Sequence, residues 1–529
     1  MFVDDAIFGM ARTGKLGESI TYPQILNTSA GGEVNITENE LIITPENIFN
    51  RRPLEPVGYS SLGQNFRYPQ CQDIVLVTDG LTLLQRPRKL LEAIASIRKD
   101  MGYSKLIYLQ GVGDPYLFPV LVYAGISLFD DSTLRLLSLK GIRYGELGYQ
   151  KSDANYFEEN MSFARRIMSS LAQAIKDGTL REVVEKYQIS TKASEILRLI
   201  DSEGYEAEEL LFPRRTPYIM ANSLESLRRP DLVRYRNYIE NLYRKPPNRK
   251  VALLIPCSAR KPYSSSKSHR KIIDRIAPYR KYIHEIIVTS PVGLVPRELE
   301  ASYPARFYDI PVIGDWYEDE KQMIRRLIRG YFRNNGYDAI YTFVGDDLDF
   351  IHRDLPAGFI KIVWDKRSDE SLDTLYNEIK RYFELADHTR PDVRGSRLES
   401  YIKIAEYQFG DWISDYLTDC KIVKNYNSEM LVRDGKPFLV YNPVLGKFTI
   451  NKNSAEIFID EKKFLVEIDD FRPTANIYPV GIMSTTEDIR QEDEVVIHHA
   501  GEVRAVGIAK MPFQAMRSLK KGVAIKVRN

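Results

Sequence analysis

Cysteine is scarce in this sequence. The 529 residues contain three, Cys71, Cys257 and Cys420, and no two of them form a CxxC pair. That spacing excludes a zinc ribbon, an iron–sulfur cluster or a disulfide framework built from this chain, so neither a metal nor a cofactor is expected. Lone thiols fit a reducing cytoplasm. Long apolar runs are missing too: none reaches the ~18 residues that span a bilayer, so no membrane association is expected. The N-terminal stretch MFVDDAIFGMARTGKLG lacks the basic-then-apolar order of a signal peptide. An excess of one charge is also absent. Lys plus Arg is 74 against 72 for Asp plus Glu, a net charge of +2, and any argument about partners must therefore rest on local charge.

What is present is enough apolar residue, 43%, to bury several cores, and the length calls for three or four domains. Over residues 1–240 strand-like and helix-like segments alternate. Asp73–Thr78 and Lys105–Gln110 read as strands, and Arg86–Met101 and Leu117–Tyr123 as helices, the rhythm of parallel βα units. Asn160–Tyr187 reads as an amphipathic helix pair, with Gly178 placed to cap the first. Leu227–Lys250 is rich in Arg and ends its helix at Pro246-Pro247, which marks a boundary whose Arg heads face solvent or phosphate. Residues 241–390 form a second α/β domain with strands at 251–255, 285–289, 339–344 and 360–364, a mostly parallel sheet covered on both faces. Residues 391–455 are a small α+β connector starting at Arg390-Pro-Asp-Val-Arg394, and residues 456–529 have the short alternating strands of a small β-barrel.

The densest chemistry lies between Pro256 and His269, PCSARKPYSSSKSH. It follows a strand-like apolar run and opens a helix, so it sits at the carboxyl end of a buried strand, where open α/β sheets bind ligands. The stretch holds the thiol of Cys257, the imidazole of His269, the hydroxyls of Ser258, Tyr263 and Ser266, and the cations Arg260 and Lys261. Composition alone also fits a basic, Ser-rich surface loop. Two further loops should reach the same edge. One is Ser290–Glu300 with Arg297 and Glu298, and the other is Gly345–Asp349 with Asp346. Paired acids of this kind suit amine or metal binding, or plain solvation.

The spacing Pro256-Cys257, Lys261-Pro262-Tyr263, Ser266, His269 resembles the signature of the archaeosine synthase family, paralogues of archaeal tRNA-guanine transglycosylase. The flanks Thr289–Leu299, Tyr303-Pro304, Tyr308–Pro311 and Tyr407–Gly410 resemble it also. Residues 1–240, with GVGDPYLFPVLVYAGISLFDDS, resemble a shortened transglycosylase β/α barrel. Asp130 falls where that family's nucleophilic Asp lies, at a barrel strand's C-terminal end, but the family's zinc-binding Cys/His cluster is missing from Lys151–Arg166. The C-terminal stretches IDDF, PVG, IRQEDEVV, RAVG and KGVAIKVR resemble a PUA domain, a module that grips structured RNA. Independently of that likeness, Val503–Asn529 contains Arg504, Lys510, Arg517, Lys520, Lys521, Lys526 and Arg528 and no acid, which reads as a phosphate-contact face.

The resemblance implies a tRNA substrate carrying 7-cyano-7-deazaguanine in the D-arm. It also implies addition of an amine donor, lysine, to the nitrile, and a radical-SAM partner enzyme that completes archaeosine. A homodimer is left open. In this chemistry Cys257 is the expected nucleophile, activated by Lys261, Arg260 and the helix N-terminus; the alternative is direct attack by the amine, with Cys257 lining the pocket. His269 is the expected proton shuttle, with Lys261 or Tyr263 at the nitrile nitrogen and Ser266 beside them. Ser258, Arg297, Glu298, Asp346 and Asp130 are the substrate-binding candidates. Two other functions compete. One is base exchange by a transglycosylase using Asp130, and the other is a non-catalytic tRNA-binding scaffold.

Overall fold

The computed structural model describes residues 2–17, 20–27, 41–43, 48–50, 73–311, 313–366, 368–385, 393–424 and 429–528. Cys71 and the first residues of the connector, Arg390–Asp392, lie outside them. The chain forms two compact units. One combines residues 1–217 with 456–529, and the other is the intervening 218–455.

In the first unit, an antiparallel sheet of Phe2–Phe8, Ala11–Leu16 and Ile20–Tyr22 precedes a parallel sheet. The parallel sheet has the strand order Gln24–Leu26, Leu128–Asp130, Leu106–Leu109, Ile74–Val77. The last two of these are apolar throughout and fully buried, as strands covered on both faces must be. The helix Pro87–Met101 begins on a proline, and Phe157–Asp177 ends at Gly178, whose φ of 71° is the left-handed cap a glycine accepts without strain. Among the described residues the parallel sheet is open, with four strands. It keeps the βα rhythm of a barrel without closing into one.

The C-terminal domain of this unit has a six-stranded sheet, ordered Asn476–Ile477, Ile525–Arg528, Glu502–Ala509, Glu494–His499, Leu465–Ile468, Ile482–Thr485. Its core is shared with the N-terminal part: Ile7, Tyr103 and Leu211 pack among Val466, Ile497 and Met516. Two ion pairs bind the same interface, Arg214–Asp493 at 2.7 Å and Arg490–Glu209 at 2.6 Å. Distant ends of the sequence thus make one body.

The second unit is built on a five-stranded sheet, ordered Gly293–Pro296, Ile283–Thr289, Val251–Pro256, Ala339–Val344, Ile360–Val363. Four strands are parallel, and Gly293–Pro296 runs antiparallel to Ile283–Thr289. That edge strand falls within the stretch expected to be a loop, because Pro291 and Gly293 punctuate it. Gly293 has a φ of 98°, and a Cβ there would lie 2.1 Å from Leu327, so only glycine turns the chain this tightly. The helices Lys267–Ile276, Glu318–Asn334 and Glu370–Leu385 flank the sheet. A four-stranded antiparallel sheet spans Lys421 to Ile450 in the order of the sequence.

The Arg-rich stretch 227–250 is part of this unit and its arginines do not all face solvent, contrary to expectation. Arg229 is buried against Asp231, and buried Arg236 donates to the Pro291 carbonyl at 2.7 Å. A guanidinium can be buried only with such partners, and neighbours distant in sequence supply them.

Candidate functional site

Parallel strands that end together deliver their following loops to one edge. Pro256 is paired with Val288 in the register of the central strands, so Cys257 and Thr289 emerge side by side. A cleft of about 430 Å³ opens there, lined by Cys257, Ser290, Pro291, Trp316, Asp347 and Lys366 among others. All of it belongs to the second unit. The rim is apolar and exposed: Ile313 and Tyr317 are 76% and 68% accessible. Trp316 donates its indole N–H to Asp347 Oδ2 at 3.3 Å.

Cys257 is half-buried. Burial pushes its thiol above the usual range, and a hydrogen bond with Thr289 and the charges of Lys261 and Lys366 only partly offset this. The expected activation by cations is therefore outweighed by desolvation, and the resting group at neutral pH is the thiol. Lys261 is shifted the opposite way. Burial lowers it, partly offset by Cys257 and Asp309, and its ammonium lies 3.9 Å from the centre of the Tyr308 ring. The two shifts bring thiol and amine towards a common pKa, which eases proton exchange between them.

Tyr263 is fully buried. Its hydroxyl lies 2.8 Å from that of Tyr308, which in turn bonds to Thr289. This buried relay holds the floor under Cys257, and Tyr263 itself has no open path to the cleft.

His269 corrects the expectation of a proton shuttle. It is completely buried, with Nε2 3.0 Å from the Pro256 carbonyl and Nδ1 3.0 Å from Arg297 Nη2. The network assigns the tautomer: Nε2–H donates to the carbonyl, and Nδ1 accepts from the guanidinium. Burial, together with the Arg297 charge, depresses its pKa to about 4. A neutral imidazole with both nitrogens engaged moves no proton. It anchors the carbonyl that precedes Cys257. Ser266 is likewise structural, capping the helix Lys267–Ile276 by accepting from His269 N at 3.2 Å.

The substrate-binding candidates divide in the same way. Arg297 donates to Glu285 and to Glu300, each at 2.8 Å. Glu298 is buried against His284 and Tyr243. These are core contacts, ion pairs for Arg297 and hydrogen bonds for Glu298, because a buried charge needs a partner more than it needs a ligand. Ser258 donates to the Arg260 carbonyl at 3.0 Å. Asp346 is exposed at the head of the turn Asp346–Asp354, and it is its neighbour Asp347 that lines the cleft. Asp130 lies in the first unit and is buried. It accepts from Tyr108 at 3.0 Å, Gly111 N at 2.7 Å and Ser132 N at 3.0 Å. With its lone pairs committed to loop geometry, it is not placed to attack a sugar.

Sequence reasoning missed Ser290, Trp316 and Lys366, and named Asp346 rather than Asp347 from its loop. Ser290 and Tyr308 stand inside stretches that resemble the family, but nothing local separates them from ordinary turn residues.

In the C-terminal domain, the acid-free basic run is not a one-signed face. Arg504 pairs with Asp470 and Glu502, Lys510 with Glu492, Arg517 with Glu487, and Arg528 with the buried Glu494. The fold brings acids from outside the run to these cations. Lys520, Lys521 and Lys526 are exposed outside those pairs.

A family model described as a domain of unknown function (DUF5591) matches residues 232–379, and the PUA domain model matches residues 468–529. Archaeosine synthase subunit alpha of Thermoplasma acidophilum is 46% identical over 528 residues, 100% of both chains. The Methanosarcina acetivorans protein of the same name is 28% identical over 86% of this chain and 79% of its own. The tRNA-guanine(15) transglycosylase of Methanothermobacter thermautotrophicus is 23% identical over 84% of this chain and 69% of its own. An identity of this level from end to end, together with the thiol-bearing α/β unit and the PUA domain, means that the chain belongs to the archaeosine synthase subunit alpha family.

Proposed function

We propose that this enzyme of archaeosine biosynthesis adds the amine of lysine to the nitrile of 7-cyano-7-deazaguanine in the D-arm of tRNA, using Cys257 as a covalent nucleophile. The single observation that carries the reading is the placement of Cys257. A polarizable thiol opens into a cleft wide enough for a heterocyclic base, beside a lysine whose pKa has moved towards its own.

A nitrile carbon is a weak electrophile, and a thiol is the strongest protein nucleophile at neutral pH. In the proposed first step the sulfur–carbon bond forms as one carbon–nitrogen π bond breaks. The proton leaving sulfur arrives on nitrogen, giving a thioimidate. In the second step the donor's neutral amine attacks the same carbon and the carbon–sulfur bond breaks. The thiol recovers a proton from the attacking amine and the product is an amidine. No atom is lost and no oxidant is needed. Lys261, whose pKa burial lowers, relays protons in both steps. A partner enzyme of radical-SAM type then acts on the amidine. Trp316 and the exposed rim of Ile313 and Tyr317 offer flat apolar surface for a base drawn out of the RNA stack. Base exchange is disfavoured by the burial of Asp130 and the three hydrogen bonds it accepts.

The test is incubation of tRNA carrying the nitrile base with radiolabelled lysine and the full-length protein. Label should become attached to the tRNA. Release of the modified base without label would favour exchange, and retention of intact tRNA alone would favour a scaffold.

The PUA domain is proposed as the tRNA anchor, through Lys520, Lys521 and Lys526. Each phosphate contact contributes about 0.7–0.9 to the slope of log affinity against log salt. Changing all three to Gln should lower that slope by roughly 2–3, with the protein still folded. Arg528→Gln should instead remove an ion pair from the buried Glu494 and reduce stability without a comparable change in slope. An unchanged slope in the triple variant would reject these lysines as the contact.

A further inference from the structure

Ser290 is the first residue beyond the strand Ile283–Thr289, one position past the Thr289 that stands beside Cys257 in the register of the sheet. It is 3% exposed and lines the cleft, and its Oγ is buried without a hydrogen-bond partner. The backbone around it is held from both sides: Thr289 Oγ1 donates to the Ser290 carbonyl at 3.2 Å, and Arg236 donates to the Pro291 carbonyl at 2.7 Å. The main chain is thus anchored while the hydroxyl has nothing to bind. Buried hydroxyls are nearly always satisfied in folded proteins, and an exception needs a cause. Here alanine would fill the same space without the unsatisfied group.

We propose that Ser290 is a catalytic hydrogen-bond donor, its hydroxyl bonding to the nitrile nitrogen of the base as negative charge develops there. The inference rests on the nitrile reaction described above. A nitrile has one good acceptor, the terminal nitrogen, and attack at carbon drives an electron pair onto it. A fixed donor that needs no reorganisation stabilises that charge most effectively. Ser290 keeps its proton throughout, because the proton that ends on nitrogen comes from the nucleophile. The role is the same whether the attacking group is the Cys257 thiol or the donor amine. Lys366, on the same cleft wall, adds positive charge at longer range.

The experiment compares full-length Ser290→Ala and Ser290→Cys with wild type on tRNA carrying the nitrile base, with labelled lysine. Removing one such donor typically lowers kcat by about 10²–10³-fold. Ser290→Ala is expected to show that fall, with KM for tRNA within about threefold. Its melting temperature should be equal to or above wild type, because the substitution deletes an unsatisfied buried group. Ser290→Cys, with a weaker donor in the same place, should fall between the two. If Ser290→Ala keeps kcat within about threefold of wild type, the hydroxyl serves at most a structural water and the proposal is overturned. A lower kcat that tracks a lower melting temperature overturns it as well. If wild type itself attaches no label, the nitrile reaction has failed. If wild type attaches label and Ser290→Ala matches it, the role of Ser290 alone has failed.

Discussion

Cys257→Ser is expected to abolish label transfer while tRNA affinity stays at the wild-type value. A hydroxyl at neutral pH is far less nucleophilic than a thiol, and loss of a covalent nucleophile costs on the order of a thousandfold or more. Cys257→Ala should be equally inactive. Wild-type enzyme given nitrile-bearing tRNA without donor should accumulate a protein–RNA adduct on a denaturing gel, and neither variant should. The pH dependence follows from the thiol's shift. Because burial holds the group protonated to a higher pH than an ordinary thiol, adduct formation should keep climbing through pH 9 rather than level off near neutrality. Lys261→Arg keeps the charge but cannot give up its proton, so it should slow adduct formation if Lys261 takes the thiol proton. His269 enters only through the Pro256 carbonyl it holds. Its replacement by Gln should lower the rate without moving the pH profile. Retention of more than about a tenth of wild-type turnover in Cys257→Ser, a loss below about 1.4 kcal/mol, would show that the amine attacks the nitrile directly.

Arg297→Met should be the most damaging substitution for stability. The guanidinium joins Glu285, Glu300 and His269 in the core. Its removal leaves Glu285 with Arg280 at 2.7 Å and Glu300 with the Ser264 amide at 2.9 Å. Breaking a buried ionic network from one side costs about 3–5 kcal/mol, which for a unit of this size lowers the melting temperature by roughly 10 °C. The effect should depend on pH. Arg297 and Arg280 overcome burial and hold Glu285 near pKa 2, so its contribution is complete above the ordinary value of 4.5 and is lost as pH falls towards 2. His269 is depressed from 6.5 to about 4. The unfolded chain takes up that proton first, so stability is complete above pH 6.5 and declines between 6.5 and 4. Without Arg297, Glu285 loses its closest stabilising charge and His269 loses a repelling one. Both pKa values move upward, and the gap between variant and wild type should narrow below pH 5. Urea titrations of both proteins at pH 7 and pH 4.5 measure this. A variant that melts with wild type and loses only tRNA or lysine affinity would return Arg297 to the substrate-binding group.

The strand–loop–helix reading around Cys257 needed only local information. An apolar strand, a loop rich in hydroxyls and cations, and a Ser cap three residues before His269 are contiguous in the chain. The αL glycine at 178 and the parallel βα rhythm were legible for the same reason, since turn chemistry and hydrophobic period act over a few residues. The sequence could not decide what each polar group would face. His269 and Arg297 look like site residues along the chain, but they are partners of each other and of Glu285 once the strands assemble. Ser290 looks like a turn residue, and only the packing around it leaves its buried hydroxyl unmatched at the wall of the cleft. The basic C-terminal run looked one-signed until Asp470, Glu487, Glu492 and Glu494 arrived from other parts of the sheet. The sequence by itself determined which chemistry the chain carries and the local elements that hold it. The tertiary structure decided which charges are spent inside the fold and which groups remain for a ligand, because burial makes pairing obligatory and the partners come from distant strands.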